Sequence, residues 1–221
     1  MTERSRPYHH GDLRAALVDA ALGIARIGGP SGVSLREATR RAGVSPSAAY
    51  RHFAGRSHLL DAVASEIQQR MAARMRERMR APAHADAQEQ ALQSLRGVGL
   101  GYIGFAVDEP GWFETAFFGS LREGAAAGIA VAADGADGPV AAEGDPPAVP
   151  PPFALLVEAL DECVRAGVLA PERRPGAEFV CWSAVHGCAE LVLHGPLRGA
   201  DETLVGQVSA RVVDDIIAGV R

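Results

Sequence analysis

The stretch from Ser34 to Phe53, SLREATRRAGVSPSAAYRHF, constrains this chain more than any other. Ser34-Leu35-Arg36-Glu37 has the form of a capping box, in which serine and glutamate satisfy each other's orphan amides at a helix start. The helix it opens runs to Gly43, a residue free to take the left-handed conformation that ends helices. Ser45 then caps a second helix with Pro46 at its first position, where a missing N–H costs nothing. Two short helices around an Ala-Gly-Val turn, the second tipped with small and basic residues, make a shape that lays a helix in the major groove of DNA.

The remainder reads as helix throughout. Residues 12–28 place Leu13, Ala16, Leu17, Ala20, Ile24 and Ile27 at helical spacing, with Asp12 as the cap and Gly28-Gly29-Pro30 as the stop. A fourth helix starts near Gly55 to Ser57 and runs to about Arg80. Residues 85–108, a short aromatic segment with Trp112, Phe113, Phe117 and Phe118, and residues 153–167, 176–194 and 201–219 supply the others. No stretch alternates with period two, so the fold class is all-α. Residues 124–152 are Ala, Gly, Pro and Asp with almost no large side chains. They bury too little apolar area to offset their ordering entropy and read as a mobile loop, with a short helix around Ala125–Ala133. This divides the chain into a helix-turn-helix head, residues 1–56, and a helical body, residues 57–221, to which the resemblance described below assigns effector binding and dimerisation.

Charge follows the same division. Residues 1–80 hold 14 Arg against 7 acids, whereas residues 81–221 hold 8 against 20, within a net charge of −5. A basic head on an acidic body suits a head that meets phosphate. No apolar run approaches the roughly 18 residues of a spanning helix, and the N-terminus lacks the apolar core of a secretory signal. Three unevenly spaced cysteines make no disulfide framework. No membrane association and a cytoplasmic location are the expectation.

In a helix-turn-helix the second helix enters the groove tip first, which here presents Ser45, Pro46, Ser47, Ala48 and Ala49. Ser47 can bond a base edge or phosphate, Ala48 can touch a thymine methyl, and Arg36 can reach a guanine edge. Tyr50, Arg51 and His52 carry donors suited to phosphate. Ser34 and Arg56 sit at helix N-termini, where amides and dipole favour phosphate. Phe53 reads as core. Arg40 and Arg41 read as a solvated face.

With these residues in view, the chain resembles the TetR/AcrR family of bacterial transcriptional regulators over about residues 9–60, through HHGDLRAALVDAAL, GVSLREATRRAGVSPSAAYRHF and the LL of RSHLL. The resemblance implies a three-helix head, an all-helical ligand-binding body and a homodimer on a palindromic double-stranded operator. It puts Arg36, Ser47 and Ala48 at bases, and Ser34, Tyr50, His52 and Arg56 at phosphates. Arg56 stands where most members have Lys; Arg can still hold a phosphate. Arg4 and Arg6, before Tyr8, are candidates for a neighbouring minor groove. Trp182, His186 and Gly187 are similar to the signature of the WHG-type C-terminal domain of one subgroup, which the opening YHHGDLR also fits.

In the body, Trp182 and His186 share a helix face. With Tyr102, Phe105, Trp112, Phe113 and Phe117 they are candidates to line an apolar effector pocket. Met71, Met75 and Met79 read as core or as an adaptable pocket wall. Leu204, Val208, Val212 and Ile216 form an apolar stripe at steps of four. Packed with the Trp182 helix against a two-fold mate, it would make a four-helix interface. The leading reading is a homodimeric repressor released by a small organic effector. The alternative is a metal- or thiol-responsive regulator using Cys181, Cys188 and His186, although that spacing suits zinc poorly. No partnered nucleophile, carboxylate pair or phosphate loop suggests an enzyme, and no cofactor or metal is expected. Gly97-x-Gly99-x-Gly101 lies within a predicted helix and is not a nucleotide fingerprint.

Overall fold

The computed structural model describes residues 10–119 and 149–221. Among them are nine α-helices and no strand: α1 His10–Gly32, α2 Leu35–Ala42, α3 Pro46–Ala49, α4 Arg56–Arg78, α5 Ala87–Asp108, α6 Pro110–Phe118, α7 Pro151–Arg165, α8 Ala177–Leu193 and α9 Glu202–Val220. The arm with Arg4 and Arg6, the short helix expected at 125–133 and most of the expected loop lie outside the described residues. The last part of that expected loop is helical, since α7 already starts at Pro151. α1 begins at His10, ahead of the expected cap Asp12.

The described residues fall into two compact units. One takes residues 10–67 and 108–119, the other residues 68–107 and 149–221. In the first unit, α1 leaves helical geometry at Gly29 (φ 59°, ψ −164°), before Pro30, and then resumes for its last residues. The positive φ favours glycine there. α1 buries Leu17, Leu22 and Ile24, whereas Ile27, expected on the same face, is 86% exposed. Phe53, as expected, is buried, with Ala49 and Leu60.

α6 belongs to this unit and packs along α1. The Trp112 indole N–H donates to the Leu22 carbonyl at 2.9 Å. Arg26 donates twice to the Glu109 carboxylate, both at 2.6 Å. A β-carbon on Gly111 would lie 2.4 Å from the Ala25 carbonyl oxygen, so glycine is what lets the two backbones touch.

In the second unit, α5 opens with a capping box that the sequence reading did not single out. Asp86 accepts from the Glu89 amide at 2.9 Å, and Glu89 accepts from the Asp86 amide at 3.2 Å. The glycines of α5 face two ways. A β-carbon on Gly97 would fall 2.4 Å from the Arg78 carbonyl oxygen, and one on Gly101 would fall 2.9 Å from the Met75 Cα. These two therefore admit the backbone of α4, and Met71 and Met75 are fully buried. Gly99 faces Val213 of α9 and Val185 of α8. Arg174 ties α7 to α8, donating to Asp161 and Glu178, each at 2.6 Å.

Candidate nucleic-acid interface and effector cleft

The head forms as the local signals dictate. The Ser34 hydroxyl accepts the Glu37 amide at 3.2 Å, and Gly43 ends α2 in the left-handed conformation (φ 67°). The reciprocal half of the capping box does not form. Glu37 instead accepts from Arg40 and Arg41 at 2.7–3.0 Å, and these arginines hold its carboxyl down to about 2. Arg40 and Arg41 are exposed, as read, but paired.

The Ser45 hydroxyl caps α3, accepting the Ala48 amide at 3.3 Å with Ser47 Oγ 3.2 Å away. Regular α-helix stops at Ala49, four residues along. Backbone bonds from Tyr50 to Pro46 and from Phe53 to Ala49 continue the rod as tight turns, so the expected span to Phe53 is ordered although not all α-helix. Arg36, Ser47 and Tyr50 are exposed, while Ala48 and His52 are half-buried. The exposed small tip beside Arg36 matches the shape and donor chemistry of a groove-reading helix.

Arg56, expected at a phosphate, makes contacts within the head. Its guanidinium donates to the carbonyls of Val33 (2.7 Å) and Pro30 (2.5 Å), bracing the turn between α1 and α2. The Pro30 carbonyl also accepts the Val33 amide at 3.2 Å.

The aromatic residues expected to share one pocket are divided. Trp112, Phe113 and Phe117 belong to the first unit, where the Phe113 and Phe117 rings lie 4.9 Å apart. Phe105 is buried in the second unit with the Arg74 guanidinium over its ring. Tyr102, Trp182 and His186 do come together. The Tyr102 hydroxyl is 2.7 Å from His186 Nδ1, the Tyr102 and Trp182 rings meet edge-on at 4.9 Å, and Trp182 stacks near-parallel to His186.

Tyr102 and Trp182 line an apolar cleft with about 360 Å³ of empty space, its open mouth included. Its other walls come from α5 (Leu95, Val98, Gly99), α7 (Leu156), α8 (Cys181, Val185), α9 (Val213, Ile216, Ile217) and Met75 of α4. Most of these are ordinary core residue types, and apart from the aromatic pair and the methionine no signal in the sequence marks them as lining.

Burial pushes the Tyr102 phenol well up, with Glu190 adding to the effect. Burial lowers His186, against the pull of Glu190. Both rings are therefore neutral at physiological pH. Burial also pushes the Cys181 and Cys163 thiols up to about 11 and raises Cys188. Thiols held protonated are poor nucleophiles and poor ligands. Among the described residues no group of His, Cys, Asp and Glu is placed to hold a metal. The alternative of a metal or thiol sensor thus has no support.

On α9 the buried line is Ser209, Val213, Ile217 and Val220. The expected interface stripe lies beside it. Leu204 is 42% exposed, Val208 and Val212 are half-buried, and Ile216 turns to the cleft. On α8, Val180 (51%), Leu191 (46%) and Phe179 (40%) are exposed. No described helix is long and apolar enough to cross a membrane.

Comparison with known proteins agrees with this arrangement. The family model "Bacterial regulatory proteins, tetR family" matches residues 17–63, and "Tetracyclin repressor-like, C-terminal domain" matches residues 95–216. No curated protein matches the chain. A solved protein of unknown function from Rhodococcus sp. RHA1 is 25% identical with a TM-score of 0.66, covering 98% of this chain and 99% of that one. TetR from Acinetobacter baumannii AYE (17% identical, TM-score 0.57, 96% of each chain) shares the fold. So does FadR from Bacillus subtilis in complex with stearoyl-CoA (12%, TM-score 0.54, 94% of this chain and 99% of that one). The C-terminal match alone takes in more than half of the sequence, and the chain belongs to the TetR family of DNA-binding transcriptional regulators.

Proposed function

We propose that the chain is a homodimeric repressor that leaves a palindromic operator when a small organic molecule occupies the cleft of its second unit. The observation that carries this reading is the cleft itself: an apolar space, open at one side, beside a Tyr102–His186 pair, in a chain whose head has groove-reading form. A mostly apolar concavity with few polar groups is the usual form of a small-molecule site.

In the head, Arg36, Ser47 and Ala48 are assigned to bases, with Ser34, Ser45, Tyr50 and His52 at phosphates. Arg56 acts by bracing the turn. The proposed boundary between head and body stays at residue 56 of the chain, with α6 added to the head's packing. The exposed apolar residues of α8 and α9, with Leu204, Val208 and Val212, are assigned to the two-fold interface.

α4 supplies a route for release. Its first residue braces the α1–α2 turn, and its Met75 walls the cleft. A guest that displaces Met75 acts on the helix that anchors the head. A coupling of about 1–3 kcal/mol gives a five- to 150-fold change in operator affinity. That is enough to lose paired heads that must meet groove segments roughly 34–36 Å apart.

The test is selection of bound DNA from a random pool by the purified chain, followed by competition with small molecules. A palindrome recovered and then released by a ligand is the expected result. Selection that returns no symmetric site would refute the proposal.

A further inference from the structure

The make-up of the cleft wall indicates what the cleft will accept. We propose that it takes a small, uncharged, predominantly apolar molecule and rejects organic anions. This inference rests on the reading of the cleft as the effector site.

Among the lining residues only Tyr102 and Cys181 have side chains able to ionise. Both are kept neutral by burial. The Tyr102 hydroxyl is engaged with His186, whose ring is also neutral. Of the charged residues next in sequence to the lining, Arg96 donates to Asp214 at 2.7 and 3.2 Å, Asp215 is paired with Arg211, Arg74 lies over the Phe105 ring and Arg76 is exposed. Glu190 does not line the cleft, and its Oε2 lies 3.1 Å from His194 Nδ1. Its charge acts on both Tyr102 and His186, so an anion approaching that end meets repulsion.

An anion would shed its water here without a counter-charge, which is the costly way to bury a charge. An apolar guest loses nothing polar and gains contact on every side. Gly99 packs against Val213, where a β-carbon would lie 2.9 Å from Cγ2, so a larger residue there would press on the α9 wall of the cleft.

The test uses the full chain near neutral pH with toluene, phenol and benzoate. Binding is read by ligand-observed NMR and by the shift in thermal unfolding. Toluene and phenol are expected to bind at least about tenfold more tightly than benzoate. Gly99→Val is expected to abolish binding of the neutral pair while retaining helical circular dichroism. If that variant does not fold, Ile216→Phe narrows the cleft from α9. Benzoate binding as tightly as the neutral probes would overturn the proposal and leave the cleft as an effector site. Absence of binding by all three would overturn both. Operator release by the same probes is scored separately in gel shifts. Neutral probes that bind without releasing DNA would sink the effector reading and not the chemistry of the cleft.

Discussion

Arg36 and Ser47 stand exposed on a head whose neighbouring arginines, Arg40 and Arg41, are committed to Glu37. Arg36→Ala is expected to weaken operator binding by about 1–3 kcal/mol and to relax base choice, as an edge-reading side chain should. Gel shifts with unchanged affinity and preference would count against that role. The caps at Ser34 and Ser45 were legible in the sequence because their bonds reach only three residues ahead. The partners of Arg56 lie 23 and 26 residues back, beyond the reach of any local signal. Glu37 was misread because two arginines compete for the carboxylate that a capping box would use. His186 makes a pH prediction. Its ordinary value is 6.5 and burial lowers it in the folded chain. Below 6.5 the unfolded chain takes up a proton that the folded chain refuses, so stability falls as pH drops through that window. Denaturant melts between about pH 7 and pH 5 should show this slope, and His186→Gln should flatten it, whatever its absolute stability.

At the scale of helices, periodicity and punctuation located nearly every segment, because helix starts and stops are written in neighbouring residues. Their partners were less legible. Ile27 fits the apolar spacing of α1 yet faces out, since the helix buries the adjoining line through Leu17, Ala21 and Ile24. Attachment of α6 to α1 depends on residues as far apart as Arg26 and Glu109, and an aromatic cluster read in sequence does not reveal which core it joins. Gly111 holds that contact. Gly111→Ala would set a methyl 2.4 Å from the Ala25 carbonyl oxygen and 2.5 Å from that of Arg26. Forcing the helices apart is expected to cost about 1–3 kcal/mol, visible as a lower melting temperature. An unchanged melt would mean that the seam yields freely.

For the whole molecule, charge and motif suggest a basic head and an acidic body, whereas nothing in the sequence marks the cleft. Its walls come from five helices, and most of its residues would pass for plain core. The outer face of α8 and α9 carries the prediction at this scale. Val180→Glu combined with Leu191→Glu is expected to give a monomer in sedimentation and to lose operator binding, since a single head forgoes half of its contacts. A double variant that still sediments as a dimer would place the interface elsewhere. The alternating glycines of α5 carry a genetic consequence. Under the proposed function, in a colony screen with the operator driving a reporter, random changes at Gly97 or Gly101 should leave the gene permanently on, because the chain no longer assembles. Changes at Gly99 should leave it permanently off and deaf to inducer. One short run of codons would thus yield both opposite phenotypes, sorted by the parity of the position struck.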